Sequence, residues 1–557
     1  MATVKISQLP PAPLPLVGAD LVPVVQGGTT SRTTLDAVRQ YVTTSVKNFG
    51  AVGDGVTDDT VAIQTAFNFV KNSDTVSRLF FPNGTYLVSS TLSYTQAVVD
   101  RSIAIEGEDE IDTIIKYTGV NDCLFFSLGQ NANQVTNRLE VKRISIKTSV
   151  AGAGAAIRSV RVASAVVAPN ALFEDVYVYQ ESGGYWQYGI RTSDASDQWF
   201  NRCYLMHFGT NTTACVLMDN NLTTQSVYGA YFNGCSFNGA TYCIRSTGQL
   251  ESIYVNNCSL VGALDTISVD ATGTTFGNPH LSVAGSHLNG KRRAIFTTKW
   301  RAVTITGTDV YSGVGTGDVA GDNLFMQDAQ HVCVTGCKFE IGAVSQSRSF
   351  ITLSNVDDFS ITGNVMENAT AAGIIIIGTS NRGVISGNTI NGYVDGVPNN
   401  EAIYNTSSGN AFVYSGNHIN YFNKGILVNA SYNVIVGNAF SNLSLAVEVA
   451  GGVDNYAKGN TFQSVTTETT GTVHREIFRS VTVDPSNVPN ATTVTQLVTV
   501  PGARLGNFID FAAPYDVLNL QITGNVQNTN IVALYFRNDT GSAVNLPSGT
   551  WNFRVHS

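Results

Sequence analysis

A short motif recurs through the central part of the chain, in which apolar residues run into a Gly-x pair and then resume. It reads VTITGTDV at residue 303, VCVTGCKF at 332 and FSITGNVM at 359, and looser copies extend back to residue 139. Successive motif glycines lie 21 to 29 residues apart. A variable period of this size is typical of a solenoid whose repeats carry insertions at their turns. The motif glycines are Gly307, Gly336, Gly363, Gly387, Gly416, Gly437 and Gly459.

Apolar and polar residues alternate within each repeat. The third residue after the motif glycine is always apolar, and its neighbours are mostly polar. A period of two predicts β-strands with one buried face, and no amphipathic helix separates the repeats. The sequence therefore predicts an all-β solenoid, a parallel β-helix whose rungs stack like side chain on like side chain. The predicted inward column is Ile146, Val178, Leu205, Phe237, Leu260, Leu288, Val310, Phe339, Met366, Ile390, Ile419, Phe440 and Phe462.

The residue after each motif glycine is small or polar. It is cysteine in the earlier repeats, as at Cys203, Cys235 and Cys258, and asparagine from Asn364 to Asn460. We expect an internal ladder in which each asparagine amide bonds to its neighbours above and below. We expect the eight cysteines to be reduced core thiols, because buried cysteine commonly behaves as a small hydrophobic residue.

Composition narrows the possible partners. Charged residues make up 13% of the 557 residues, and the net charge is −9 without a basic stripe, which argues against nucleic acid. We expect no cofactor and no metal, because the cysteine spacing is a poor zinc signal and no acidic cluster suits calcium. The amino terminus lacks the pattern of a secretory signal, and no apolar run is long enough to insert into a membrane.

Changes in composition and residue pattern along the chain predict three domains. Residues 1–46 are proline-rich and then amphipathic, and we interpret them as an attachment segment rather than a disordered leader. Residues 47–470 hold the repeats and form the predicted β-helix. Residues 471–557 alternate between Gly and Asn turns, which predicts a small β-sandwich.

Two stretches near the start of the predicted β-helix are the most specific. NFGAVGDGVTDDTVAIQ begins at residue 48, and FFPNGTYLV begins at residue 80. Together they resemble the opening of pectate-lyase-like right-handed β-helix proteins, and especially of bacteriophage tailspikes. In that family this opening caps the helix, which implies that Asp54, Asp58 and Asp59 are structural. A phosphate-loop interpretation fails, because no Gly-Lys-Ser/Thr follows.

The resemblance implies a right-handed helix and a function. The chain would be a homotrimer on the virion tail, with its amino-terminal segment bound to the phage tail or baseplate. Its carboxy-terminal module would trimerise or touch glycan. It would act at the host cell surface, where it recognises and cleaves a polysaccharide of the capsule or the lipopolysaccharide O-chain.

A glycosidase needs two carboxyl groups, so its candidates in a β-helix are stacked acids on the outward face. The fourth residue after the motif glycine is outward, and this column holds Glu340 and Glu367 on adjacent rungs, about 4.8 Å apart at the backbone. They are the predicted catalytic pair, Asp309 is a possible third member, and Tyr311 is a predicted substrate contact. Adjacent stacking suits retention of configuration, and a two-rung separation suits inversion; the sequence leaves both open.

Residues 181–200 form a second candidate, because aromatic residues beside carboxylates suit a sugar groove. A packed lid or a trimer contact is an equal alternative for this predicted loop. The predicted substrate-binding residues there are Trp186, Tyr188, Asp194 and Asp197, accompanied by Glu181, Tyr185 and Trp199.

Other features favour structural roles or alternative functions. His280, His331, Asp358 and Arg382 share a turn column, which we interpret as mostly structural. The basic cluster 291–293 most commonly faces solvent, although it would also suit an acidic glycan or a lyase base. A polysaccharide lyase and a non-catalytic glycan-binding adhesin therefore stay open. Outward apolar residues that would suit oligomerisation are Val261, Tyr311 and Val365.

Overall fold

The computed structural model describes most of the chain. It covers residues 21–26, 29–34, 44–73, 77–96, 102–129, 138–161, 169–181, 183–206, 211–220, 229–248, 250–271, 279–312, 321–342, 347–393, 401–471 and 473–556. Two compact units are present, Met1–Val319 and Ala320–Ser557. Among the residues described, no helix combines the length and the apolar character needed to cross a membrane.

The first unit begins with a hairpin and a cap. Leu21–Gln26 pairs antiparallel with Thr29–Thr34, and the amphipathic segment predicted after it lies outside the described residues. A 3₁₀ turn, Val46–Phe49, then precedes helix α1, Thr60–Asn72. Helix α1 buries one stripe of residues, which closes the end of the solenoid. The stripe consists of Ile63, Ala66, Phe67 and Val70.

The three acids of the opening segment hold its backbone. Asp59 is buried and accepts the N–H groups of Val52 and Gly53 at 2.6 and 3.0 Å. Asp54 accepts from Thr57, and Asp58 accepts from Ser89 Oγ at 2.6 Å. The structural role predicted for these acids is confirmed.

Parallel strands wind through the first unit as three sheets, which we call sheets A, B and C. Each strand pairs in register with the strand one coil later, and connections of this kind are right-handed almost without exception. Two long strands, Arg138–Thr148 and Asn170–Gln180, serve both sheet A and sheet B. Sheet A also contains Thr44–Ser45, Arg78–Phe81, Ile103–Gly107, Gln198–Asn201, Gly229–Asn233, Ser252–Asn256, His280–Ala284 and Ala302–Thr306. Sheet B contains Asp54–Asp58, Gly84–Val88, Thr113–Tyr117, Tyr204–Leu205, Ser236–Asn238, Ser259–Gly262, His287–Gly290 and Asp309–Ser312. Sheet C contains Leu92–Thr95, Leu124–Leu128, Ala151–Arg161, Tyr185–Ser193, Ala214–Asn220, Tyr242–Gly248, Asp265–Asp270 and Arg293–Thr298.

The second unit is built on the same plan, with sheets D, E and F. Its last two long strands, Ala439–Val449 and Thr461–Gly471, serve both sheet E and sheet F. Sheet D contains Val332–Thr335, Asp357–Thr362, Asn381–Ser386, Val413–Ser415, Val434–Val436 and Tyr456–Lys458. Sheet E contains Lys338–Ile341, Val365–Ala369, Thr389–Gly392 and His418–Asn420. Sheet F contains Gly321–Gln327, Arg348–Ser354, Ile374–Ile377, Glu401–Asn405 and Lys424–Val428.

The end of the chain forms two antiparallel sheets. Sheet G contains His474–Val483, Gly549–His556 and Phe508–Ala512, and sheet H contains Thr492–Thr499, Ile531–Asn538 and Gln521–Asn528. Side chains from both sheets share one core, which includes Leu534, Phe536, Trp551 and Phe553. The all-β class and the parallel β-helix predicted from the repeats are confirmed.

The predicted asparagine ladder is present inside the second unit. The amides of Asn364, Asn388, Asn417 and Asn438 each donate to the Oδ1 of the next asparagine, at 2.9 to 3.1 Å. The motif glycine that precedes each of these asparagines has a positive φ. This backbone conformation would be strained in a residue that carries a side chain. In the first unit Cys203, Cys235 and Cys258 form the equivalent buried column, and all eight cysteines are free thiols.

The ladder makes a prediction for stability. Asn417 donates to Ile385 O and Asn438 Oδ1 and accepts from Asn388, all in the interior. Asn417→Ala leaves these partners unsatisfied, so we expect the free energy of unfolding to fall by about 3 kcal/mol. Urea unfolding followed by tryptophan fluorescence measures the change. The matched control is Asn391→Ala on the outward face. A loss below about 1 kcal/mol at Asn417 would contradict this role for the ladder.

Candidate active site

The outward face of sheet E carries the predicted carboxylate pair. Strand Lys338–Ile341 alternates, so that Lys338 and Glu340 face outward while Phe339 and Ile341 are buried. The next rung pairs in register, which sets Glu340 directly beside Glu367. The stacking predicted from the repeat is therefore confirmed, and the catalytic role of the pair stays a prediction.

A β-bulge lies immediately at Glu367. The register with the following rung shifts between Met366 and Ala369, so Glu367 and Asn368 both face outward before the strand turns inward again. Asn368 has φ 71°, the left-handed conformation that asparagine tolerates better than most residues. Bulges re-aim side chains and are common beside active sites.

The bulge opens a shallow groove of about 300 Å³ next to Glu367, which we call the sheet E groove. Asn391 and Asn420 stack in register along it, and Tyr421 is 42% exposed beside them. Asn420 Oδ1 accepts from Ser441 and Asn442 at 3.0 and 2.9 Å. The Asn420 NH₂ group is therefore the part of this side chain that can donate a hydrogen bond to a ligand. The groove is lined by Glu367, Asn368, Asn391, Gly392, Asn420 and Tyr421.

A lysine that sequence analysis missed joins the two carboxylates. Lys338 Nζ lies 3.2 Å from Glu340 Oε2 and 3.9 Å from Glu367 Oε2. One ammonium therefore offsets part of the repulsion between two stacked acids. The signal was present in the sequence, because Lys338 stands two residues before Glu340 and so shares its strand face.

Asp309 and Tyr311, the other members predicted for this site, belong to the first unit. Both face outward on the last described strand of sheet B, where Asp309 follows His287 and Tyr311 follows Asn289 in register. Their predicted roles in catalysis and in substrate binding remain predictions.

The second candidate, residues 181–200, is not the long loop that we expected. It forms strand Tyr185–Ser193 of sheet C and strand Gln198–Asn201 of sheet A. Trp186 is fully buried, stacks on Tyr117 with ring centroids 5.7 Å apart and donates to Tyr179 O. Its predicted contact with substrate is therefore wrong, because neither face of its indole is accessible.

The remaining residues of that candidate lie on different sheets. Tyr188 stays on sheet C, where Arg191 covers its ring at 5.1 Å. Asp194 follows in a left-handed turn, with its N–H donating to Asn220 Oδ1. Asp197 instead precedes a strand of sheet A. The single aromatic and acidic groove that we predicted is thus divided between two faces of the coil.

A smaller cluster forms around Asp197. Burial is the main cause that raises the pKa of the Asp197 carboxyl, and the negative charge of Glu251 raises it further. A hydrogen bond from the Gly229 N–H acts in the opposite direction and lowers this pKa. Tyr231 lies beside them. Its pKa is raised as well, chiefly by burial and then by electrostatic interactions with Asp197, Tyr254 and Glu251. Gly229 leaves room for this tyrosine, because a Cβ there would stand 2.9 Å from Tyr231 Oη.

The polar turn columns are occupied by ion pairs. Arg382 donates to both oxygens of Asp358 at 2.6 and 3.1 Å, and this bond chiefly lowers the pKa of Asp358. His331 lies 3.9 Å from the same carboxylate, whereas His280 belongs to the first unit. In the basic cluster, Arg292 pairs with the buried Asp265. Within the described ranges no three His, Cys, Asp or Glu side chains form a metal-binding group.

Comparison with known proteins agrees with the β-helix fold. Residues 43–268 match the family model of rhamnogalacturonase A/epimerase, pectate lyase-like. The matched range makes up less than half of the chain. The tailspike of E. coli bacteriophage HK620 in complex with a pentasaccharide aligns over 96% of this chain and 97% of its own, with 12% identity and a TM-score of 0.51. A second HK620 tailspike structure gives 13% identity and the same score over 97% of each chain.

A sequence relative covers a smaller part. A capsule K30/K69-specific depolymerase of Klebsiella phage K64-1 is 35% identical over 112 residues, which are 20% of this chain. The chain spans only 13% of that relative's length. The predicted resemblance to pectate-lyase-like β-helix proteins and phage tailspikes is confirmed.

Asp197 gives a pH-dependent prediction. Its pKa in the folded state exceeds the ordinary value of 3.8, so the ionised form weakens the native state above the folded pKa, and this penalty disappears as the pH falls below 3.8. Asp197→Asn keeps an acceptor for the Gly229 N–H and removes the penalty. We expect the variant to be more stable than the wild type at pH 7 and equally stable near pH 3 in thermal unfolding. An equal difference at both pH values would contradict the shift.

Proposed function

We propose that this chain is a phage tailspike that cleaves glycosidic bonds of a bacterial surface polysaccharide, in the capsule or the O-chain. The observation that carries the proposal is the register pair Glu340 and Glu367 at the mouth of the sheet E groove. Two carboxyl groups beside an open polar groove are the minimum that a glycosidase requires. Two of the similar proteins, a capsule depolymerase and a tailspike with bound pentasaccharide, support the same substrate class.

The spacing of the pair supports a retaining mechanism. Glu340 and Glu367 stand on adjacent rungs, about 4.8 Å apart at the backbone, which is closer to the carboxyl separation of retaining than of inverting glycosidases. One carboxylic acid protonates the leaving oxygen while the other carboxylate attacks the anomeric carbon. Water then hydrolyses the glycosyl-enzyme, and the first residue acts as base. We assign the nucleophile to Glu367, because it lines the groove itself.

The groove walls would hold the sugar on the acceptor or donor side of the bond. Asn391 and Asn420 are half-buried amides, and the Asn420 NH₂ group can donate to a hydroxyl group of the sugar. The partly exposed ring of Tyr421 offers an apolar surface beside them. Such a mixture of amides and one aromatic ring suits a neutral polyhydroxylated ligand.

A polysaccharide lyase is the second candidate, because Lys338 stands between the two acids. A lyase needs a base that removes the proton beside a uronate carboxylate, and a lysine is one such base. The two glutamates weigh against this alternative, since they would repel an anionic sugar at the same place. A lyase leaves an unsaturated uronate, which a hydrolase does not.

We also propose a homotrimer attached to the virion tail through the amino-terminal segment. Sheet G leaves two large aromatic side chains in solvent, Phe478 at 63% and Phe508 at 68% exposure. Exposed apolar surface of this kind marks interaction sites. Light scattering is expected to give about three times the chain mass of 59.3 kDa. We expect Phe508→Asp to lower that mass, and a wild-type mass of one chain would contradict the assembly.

The catalytic pair is tested by isosteric substitution. Glu340→Gln and Glu367→Gln each remove one ionisable group without changing its volume, so we expect the rate of polymer shortening to fall by about a thousandfold or more. Size-exclusion chromatography of a purified host polysaccharide measures shortening, and ultraviolet absorbance of the products detects a new unsaturated bond.

Glu468→Gln is the matched control, because Glu468 lies in an exposed ion pair with Arg479 outside the sheet E groove. This variant should keep the wild-type rate. Full activity of Glu340→Gln and Glu367→Gln would remove these residues from the mechanism. New absorbance in the products would establish the lyase, and intact polymer with retained binding would establish an adhesin.

A further inference from the structure

Sheet A carries a column of aromatic rings on its outward face. Trp199, Tyr231 and Tyr254 occupy the same register position on three successive rungs. Trp199 and Tyr231 stack with centroids 5.8 Å apart and planes 12° apart, and Tyr231 and Tyr254 with 5.1 Å and 4°. Rings stacked face to face cover one another, so only the outer face of a terminal ring is left for other contacts.

The column ends abruptly above Tyr254. The next two residues in register are Ser282 and Thr304, which are too small to cover a phenol ring. Among the aromatic contacts of the described residues, none involves the second face of Tyr254. A gap at least one rung high, about 4.8 Å, therefore lies over that face.

A parallel column ends at the same rung. Asn233 donates to Asn201 Oδ1 at 3.0 Å, and Asn256 donates to Asn233 Oδ1 at 3.2 Å. The residue that follows Asn256 in register is Ala284. The Oδ1 of Asn256 therefore accepts no hydrogen bond from the part of the chain that the structure describes. Because the aromatic column and the asparagine column both end at this rung, the surface of sheet A has a step there.

We infer that this step, formed by the free face of Tyr254, the Asn256 amide and the exposed Glu251 carboxylate over Ser282 and Ala284, is a binding site for one pyranose unit of a glycan. We call it the sheet A ledge. The apolar face of a sugar ring stacks on an aromatic ring, as other flat apolar surfaces do. The Asn256 Oδ1 and the Glu251 carboxylate are acceptors for its hydroxyl groups.

The chemistry of the ledge indicates a neutral sugar. Glu251 is exposed and forms no ion pair with any described residue. Its carboxylate would repel a uronate, whereas it accepts hydrogen bonds from neutral hydroxyl groups. This inference rests on the proposed function, which supplies the ligand of the ledge, a surface polysaccharide. It needs none of the groups assigned to cleavage, so it adds affinity for a separate part of the polymer.

The test uses the full chain carrying Glu340→Gln, so that bound polymer is not shortened. A panel of purified capsular and O-chain polysaccharides is immobilised on a biosensor. In this background Tyr254→Ala removes the stacking face, and we expect about tenfold weaker binding to the polysaccharide that the background protein binds. Ser282→Tyr extends the ring column by one rung and fills the ledge. We therefore expect binding to weaken as much as in Tyr254→Ala, although this substitution adds a side chain instead of removing one.

Ser360→Tyr is the matched control, because Ser360 is an outward serine in the middle of a sheet D strand, and it should bind like the background. Unchanged binding by both Tyr254→Ala and Ser282→Tyr would overturn the ledge while the proposed function stands. A changed oligomer mass for Ser282→Tyr would show that a second copy of the chain covers the ledge instead. Absence of binding to every polysaccharide by the background protein would contradict the proposed function, and the ledge with it.

Discussion

In-register stacking of successive coils is the constraint on which this structure depends. Each rung places its inward residue on the same kind of residue in the rung before, so that apolar columns and asparagine amides continue through many coils. A buried asparagine is tolerated only because its neighbours supply both a donor and an acceptor. The same stacking fixes the outward face, since alternation along a strand leaves no freedom in which side chains point to solvent.

Both proposed sites lie where the outward columns are interrupted. At Glu367 a bulge breaks the regular alternation and opens the sheet E groove beside a pair of acids. At Tyr254 an aromatic column stops and leaves one ring face open. Each proposed site is a local departure from the repeat, on a frame of stacked strands that holds it rigidly.

The sequence predicted what the repeat determines and missed what interrupts it. The stacking of Glu340 on Glu367 follows from a fixed spacing after the motif glycine, and it was found in the structure. Trp186 was misplaced because residues 181–200 were predicted to be a loop. They instead supply strand Tyr185–Ser193, which pairs with Ala151–Arg161 after a register shift near Ala153. The bulge at Asn368 depends on a left-handed backbone angle, which many asparagines in loops also adopt.

The location of bound saccharide decides whether Glu340 and Glu367 form the cleavage site. A crystal structure of Glu340→Gln with an oligosaccharide cut from the host polysaccharide would show which surface holds the bond to be cleaved. We expect a glycosidic oxygen between the side chains of residues 340 and 367, with sugar contacts to Asn391 and Asn420. A saccharide whose bonds all lie away from this pair, on a surface with its own two carboxylates, would contradict it.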